Sequence, residues 1–172
     1  PIMTYSNIGW RCLNNSTQVF CGPVIVGNKE CKSQYNGSYD ILPSKPCNKW
    51  KELKQDFNKV ILPHTPALFG FVAGLSASVV GYISCAKNYP MTLVVNIVGV
   101  TSSGKSTIGN LAVSTGCNPF PTICGEPKES LSRTMNSTKN AMYAVLNSNT
   151  GYPVLFDELG CKDSELDLVN LI

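Results

Sequence analysis

"NIVGVTSSGKSTIGNL", residues 96–111, sets an apolar run against a burst of Gly, Ser and Thr with one Lys in its middle. Within it, Gly99-Val100-Thr101-Ser102-Ser103-Gly104-Lys105-Ser106 satisfies the spacing G-x-x-x-x-G-K-[ST]. Glycines at both ends let the backbone turn tightly, so that the N–H groups of Thr101, Ser102 and Ser103 face inward. A helix opening at Lys105 adds unpaired amides and the positive end of its dipole, and together these favour an anion. Lys105 would reach the outer phosphates of a nucleotide as a point charge, and the hydroxyl of Ser106 suits a Mg2+ ligand.

The flanks supply the context that such a loop demands. "MTLVVNIVG", residues 91–99, is a β-branched apolar run bounded by Pro90 and Gly99, which predicts a strand buried on both faces of a parallel sheet. A helix over Lys105–Ser114 is expected next, with Gly116 as its C′ residue. "STKNAMYAVLN", residues 137–147, predicts another helix, capped by Ser137 or Asn136. "TGY" then turns into "PVLFDELG", a second short buried strand that ends in Asp157 and Glu158. Strand, turn, helix, helix, strand is the order of an α/β domain with a parallel sheet. Loop and acids then meet at the carboxyl edge of that sheet. There Asp157 would hold Mg2+ through its water shell beside Ser106, and Glu158 would orient and deprotonate an attacking water. The plainer alternative is an acidic start to a helix over "LGCKDSELDLVNLI", where the dipole stabilises carboxylates anyway.

The remaining composition bounds the reading. The chain has 172 residues, 43% hydrophobic and 15% charged, enough for one main domain with a small appendage. Its net charge of +3 is dispersed, so no electrostatic footprint for nucleic acid stands out. Pro1 is no initiator, and the closing "SELDLVNLI" reads as a helix still under way, so the natural protein is expected to extend at both ends. Eight cysteines stand singly at 12, 21, 31, 47, 85, 117, 124 and 161. They predict free thiols in a reducing cytoplasm, with a metal site among the first four as the lesser alternative. His64, the single histidine, sits between prolines in "LPHTP" and reads as a turn residue. Sequons at Asn14, Asn15, Asn36 and Asn136 read as chance in an Asn- and Ser-rich chain.

Along the chain, residues 1–47 form a small β-rich region, 48–90 a helical region, and 91–172 part of a P-loop NTPase core. In "NKWKELKQDFNKV", residues 48–60, Trp50, Leu53, Phe57 and Val60 fall on one helical face, with Asn48 as cap and Pro63 and Pro66 beyond the end. "PALFGFVAGLSASVVGYISCA", residues 66–86, carries no charge and is long enough to span a bilayer. Three Gly, three Ser and the nearness of the next apolar run favour a buried or interface helix, so a membrane partner is not expected.

In these segments the chain resembles the family catalogued as domain of unknown function 927, helicase-like P-loop ATPases of phages, plasmids and integrated elements. The resemblance rests on "IGWR" (8–11), "GSYDILP", "ALFGFVAGLSAS", "NIVGVTSSGKST", "RTMNSTKNAMYAVL" and "PVLFDELG". It implies an ATPase core similar to AAA+ and superfamily 3 helicase modules, homo-oligomeric, using ATP and Mg2+ and acting on DNA. Gly99, Gly104, Lys105, Ser106 and Thr107 match the family's phosphate loop, and Asp157 and Glu158 its acidic strand end. The sensor residue and arginine finger of such ATPases have no match here, and Arg133 reads as a surface or structural residue rather than a finger. Two other functions fit the same loop: a P-loop kinase, and a nucleotide-binding scaffold without turnover, tethered to a membrane by residues 66–86.

Overall fold

β-Branched and aromatic residues near the N-terminus pair into strands where turn residues allow the chain to fold back. In the computed structural model, the described residues are 2–13, 17–22, 25–26, 32–41, 49–120, 129–134, 138–147 and 149–157. Strand β1 (Ile2–Tyr5) pairs in parallel with β5 (Lys32–Tyr35). β2 (Ile8–Leu13) pairs antiparallel with β3 (Thr17–Cys21), which pairs antiparallel with β4 (Ile25–Val26). Trp10 stands opposite Phe20, with ring centroids 5.2 Å apart. A distant strand, β7 (Asn149–Thr150), completes this sheet by pairing in parallel with β2, giving the order β4-β3-β2-β7. Gly9, at φ +97°, faces Thr150 so closely that no side chain fits between them. Short strands therefore gather among the described N-terminal residues, and β2 is tied to β7 much later in the chain.

Helix α1 (Trp50–Asp56) continues into a π-helical turn over Phe57–Ile61. Its predicted apolar face is mostly uncovered. Trp50 is 68% exposed and Leu53 and Val60 are also exposed, while Phe57 alone finds a partner, the ring of Phe71 at 5.0 Å. Amphipathic spacing forms the helix, but burial needs a second surface, and the described residues supply little of one. Lys49 stands at the cap position without a side-chain bond, and Asn48, the expected cap, lies outside the described residues. His64 does sit in a turn: its N–H donates to Ile61 O and its carbonyl accepts from Leu68.

α2 (Thr65–Lys87) starts with Pro66 in its first turn, where a missing N–H costs nothing, and closes on Asn88 in the left-handed conformation. Its buried stripe is made of glycines. A Cβ at Gly70 would lie 2.6 Å from Ile108 Cγ2 of α3 (Lys105–Val113), and one at Gly74 would meet Ala112 of α3 and Thr115 just beyond it. Further along, Gly81 rests on Gly151, Trp10 Nε1 donates to Ser78 O at 2.7 Å, and Ser78 Oγ donates to Gly151 O at 3.0 Å. The opposite face, with Phe69, Val72, Leu75 and Val79, is exposed. α2 is thus long and apolar enough to cross a membrane, with 17% of its most apolar window buried.

The core gathers Ile8, Tyr39, Val113, Cys117, Leu131, Val145 and Tyr152, with Phe20, Ile41 and Leu155 packed around it. β6 (Ser132–Thr134) and β8 (Leu155–Asp157) form a two-stranded parallel sheet beside α3, and α4 (Lys139–Asn147) contributes Met142 and Val145 from the other side. The Thr138 hydroxyl caps α4 by accepting the N–H of Ala141; Asn136 and Ser137, the expected caps, lie outside the described residues. The architecture is mixed α/β with small parallel sheets, as the order of elements predicted.

Two local expectations are corrected. Residues 91–99 do not form a strand buried on both faces: they run without regular structure, and Leu93, Val94, Val95 and Val98 are exposed. β-Propensity expresses itself through neighbours, and no described strand pairs with this run. The end of α3 is also simpler than expected. Val113 is its last residue and Ser114 its C-cap, and Gly116 follows in a turn that closes on Val113 O without a left-handed φ.

Candidate functional site

The glycine turn occupies the gap between the uncovered run and α3. Ser102 (φ +60°) and Gly104 (φ +85°) adopt left-handed backbone, and Ser103 N–H closes on Val100 O at 3.3 Å. Left-handed residues alternating with right-handed ones turn successive amides toward one side, the geometry of an anion nest. The first bond of α3 runs from Ile108 N–H to Gly104 O, so the amides of Lys105, Ser106 and Thr107 have no intrahelical acceptor. No side chain caps this helix start and no carboxylate stands in its first turn. A helix start of this kind is electrostatically suited to an incoming anion.

Lys105 is half-buried and folds back over the turn, its Nζ donating to Gly99 O at 2.9 Å and Val100 O at 2.6 Å. Thr101, Ser102, Ser103, Ser106 and Thr107 are exposed around it. A side chain at Gly99 would press on Ser103, its Cβ 2.9 Å from Ser103 Oγ. The turn therefore holds a cation above its own carbonyls and hydroxyls at its rim.

Two contacts fix how α3 lies on the strand that ends in the acidic pair. Gly116, beyond the helix, abuts Tyr152, with a Cβ there 2.7 Å from Tyr152 Cδ1; Gly109, inside it, abuts Leu155, with a Cβ 2.6 Å from Leu155 Cδ1. As the chain advances from 152 to 155, its partners on the helix side step back from 116 to 109. β8 and α3 therefore run antiparallel, and Asp157 at the end of β8 lies toward the start of α3, where Lys105 and Ser106 stand. The two acids were predicted together; Asp157 is described and Glu158 lies outside the described residues. Asn110 locks this packing by accepting a bond from Ser132 Oγ at 2.9 Å, and Leu155 N–H donates to Leu131 O at 3.0 Å.

Arg133 is adjacent on β6, opposite Phe156, and its guanidinium is ion-paired with Glu129. Sequence reasoning missed the close approaches at Gly70, Gly74, Gly109 and Gly116. The spacing Gly70-x-x-x-Gly74 was the available signal, since small residues four apart let two helices touch backbone to backbone. Among the described residues, no group of three or more His, Cys, Asp or Glu is placed to hold a metal ion.

The fold is mixed α/β, with the glycine turn at the start of α3 and an acid-ended strand packed on that helix. The chain belongs to the family described as "Domain of unknown function (DUF927)", which it matches over residues 3–170. Its fold is similar to a solved structure titled "SCCmec type IV Cch - active helicase", with a TM-score of 0.66 and 22% sequence identity. The match covers 91% of this chain and 30% of that one, so the chain spans about a third of the helicase's length. No curated protein matches the sequence.

Proposed function

We propose that the chain carries the ATP-binding and Mg2+-dependent hydrolytic core of a helicase-like, nucleic-acid-processing ATPase, a P-loop NTPase of AAA+ type from a mobile element. The observation that carries this reading is the antiparallel packing of α3 on β8, which directs Asp157 toward the uncapped start of α3. The loop Gly99–Ser106 then cradles the phosphate chain with its amides. Lys105 leaves the carbonyls of Gly99 and Val100 for the outer phosphates, exchanging two neutral acceptors for charged ones. Ser106 and Asp157 would hold Mg2+, which would supply charge neutralisation for the phosphate chain. Glu158 accepts a proton from the attacking water, and Thr107 supports the loop from the first turn. Partners under this reading are ATP, DNA and further copies of the chain, in the cytoplasm.

The test is nucleotide binding and turnover in a full-length protein. Lys105→Ala should abolish Mg2+-dependent ATP binding, read by isothermal titration calorimetry. Glu158→Gln should keep binding and lose hydrolysis by a factor of about 10² to 10⁴, the usual contribution of a general base. Unchanged turnover in Glu158→Gln would remove the base assignment. An arginine supplied by a neighbour contributes about 10³ to 10⁵ in such enzymes, so the basal rate of a single copy is expected to be low.

One observation favours a second reading, a nucleotide-binding scaffold held at a membrane: the uncovered outer face of α2. Salt-resistant sedimentation of the protein with membranes, together with ATP binding and no release of phosphate, would select it.

A further inference from the structure

The packing of α2 on β2 brings together two thiols that stand far apart in the sequence. Trp10 and Cys12, two apart on β2, share one face of the strand. Ser78, Tyr82 and Cys85, spaced by four and three, share one face of α2. Trp10 donates to Ser78 O, and its ring lies 5.0 Å from that of Tyr82. One step further along both elements, Cys12 follows Trp10 and Cys85 follows Tyr82, which brings the Cys12 thiol within electrostatic reach of Cys85. Both are free, Cys12 is exposed and Cys85 is partly exposed, whereas the free thiols of Cys21 and Cys117 are buried.

We propose that Cys12 and Cys85 are a redox-responsive pair, joined reversibly by exchange with a low-molecular-weight disulfide such as oxidised glutathione. The exposed Cys12 reacts first. Its thiolate attacks one sulfur of glutathione disulfide, forming a mixed disulfide and expelling one glutathione thiolate, which takes up a proton. Burial and the neighbouring thiol hold the Cys85 pKa above the ordinary range, so Cys85 is the slower nucleophile and acts as the resolving residue. It loses its proton to solvent, attacks the Cys12 sulfur and expels the second glutathione. Two protein thiols are oxidised, one small disulfide is reduced to two thiols, and no other reactant is consumed. In a reducing compartment the pair stays open, and an oxidising pulse closes it.

The bond would act at a definite place. Cys85 lies in the last turn of α2, three residues before the left-handed Asn88 and directly upstream of the run that feeds the glycine turn. Closing it pins that end of α2 to the N-terminal sheet. The inference does not depend on nucleotide binding.

The test is thiol mapping of the intact chain. The protein is equilibrated with reduced and oxidised glutathione in varied ratio, quenched in acid, alkylated, digested and examined by mass spectrometry. The expected result is a peptide pair linked through Cys12 and Cys85 as the dominant protein disulfide, lost on adding dithiothreitol and lost as the dominant species in urea. In Cys85→Ser, Cys12 should accumulate as the mixed disulfide with glutathione. In Cys12→Ser, modification of Cys85 should slow by about tenfold, the mark of a resolving rather than an attacking thiol. Amide exchange over residues 82–88 should slow several-fold on oxidation. Cys12 ending as a glutathione adduct in the unsubstituted protein, equal linkage of Cys12 to several cysteines, or the same pattern in urea would overturn the pairing. Unchanged amide exchange would overturn the fastening.

Discussion

Residues 91–98 and the cluster around Leu131 are both apolar, yet one is bare and the other fully buried. Leu131 is 0% exposed, held among Val113, Cys117, Val145 and Tyr152, which arrive from α3 and the turn after it, from α4 and from the turn before β8. Val98 is 84% exposed, and the described residues bring no strand alongside it. Composition alone would rank "LVVNIV" as the better core segment. Burial follows from which elements converge, and convergence is decided by contacts as local as a missing Cβ at Gly109.

Four measurements sharpen that contrast, beginning with the largest effect. Leu131→Ala should lower stability by about 2–5 kcal/mol, because the cavity opens where three elements meet and cannot collapse easily. Urea unfolding checks this, and a loss below about 1 kcal/mol would mean that the cluster is loosely packed. Gly109→Ala should cost about 1–3 kcal/mol, since the added methyl must displace Leu155 and wedge β8 from α3. The same unfolding assay reads it, and a neutral result would show that the antiparallel seat of β8 tolerates more space than the contacts allow.

Alkali tests the buried side by charge rather than by volume. Burial pushes the Tyr35 hydroxyl up to about 12 and raises Tyr152 as well. For a group whose pKa is raised in the folded state, the neutral form is the one the fold favours. The contribution is therefore intact below the ordinary tyrosine value near 10 and is lost as pH climbs from there toward 12. The urea midpoint should fall between about pH 10 and pH 12, with tyrosinate absorbance lagging behind that of the unfolded chain. Coincident titration of folded and unfolded chains would remove the effect. Smallest of all, Val98→Thr should change stability by less than about 0.5 kcal/mol, as expected of a surface position. A larger loss would reveal that the bare run is covered in solution.

How much of this was legible beforehand follows the same division. The glycine turn and the helix after it were readable because G-x-x-x-x-G-K-[ST] is a local pattern, and local backbone preferences carry it. The strand ending in Asp157 was readable from a short apolar run punctuated by Gly151 and an acid. The strand at 91–98 was over-read, because β-branched residues record a preference for pairing without naming the partner. The apolar face of α1 was over-read for the same reason: Trp50 and Leu53 have the spacing but no described surface to cover them. The glycine contacts were under-read, since a residue with no side chain leaves no hydrophobic trace in the pattern. The nearness of Cys12 to Cys85 had no signal at all, because 72 intervening residues separate them in the sequence.

Gly70 and Gly74 let the Ile108 methyl and the Ala112 carbonyl lie directly against α2, which leaves little side chain between the helices to act as a cushion. Rotamers elsewhere can swing to absorb a small displacement, but backbone resting on backbone transmits it undamped. The two helices therefore behave as a single stiff strut, with the glycine turn at one end and a broad oily flank along its outside.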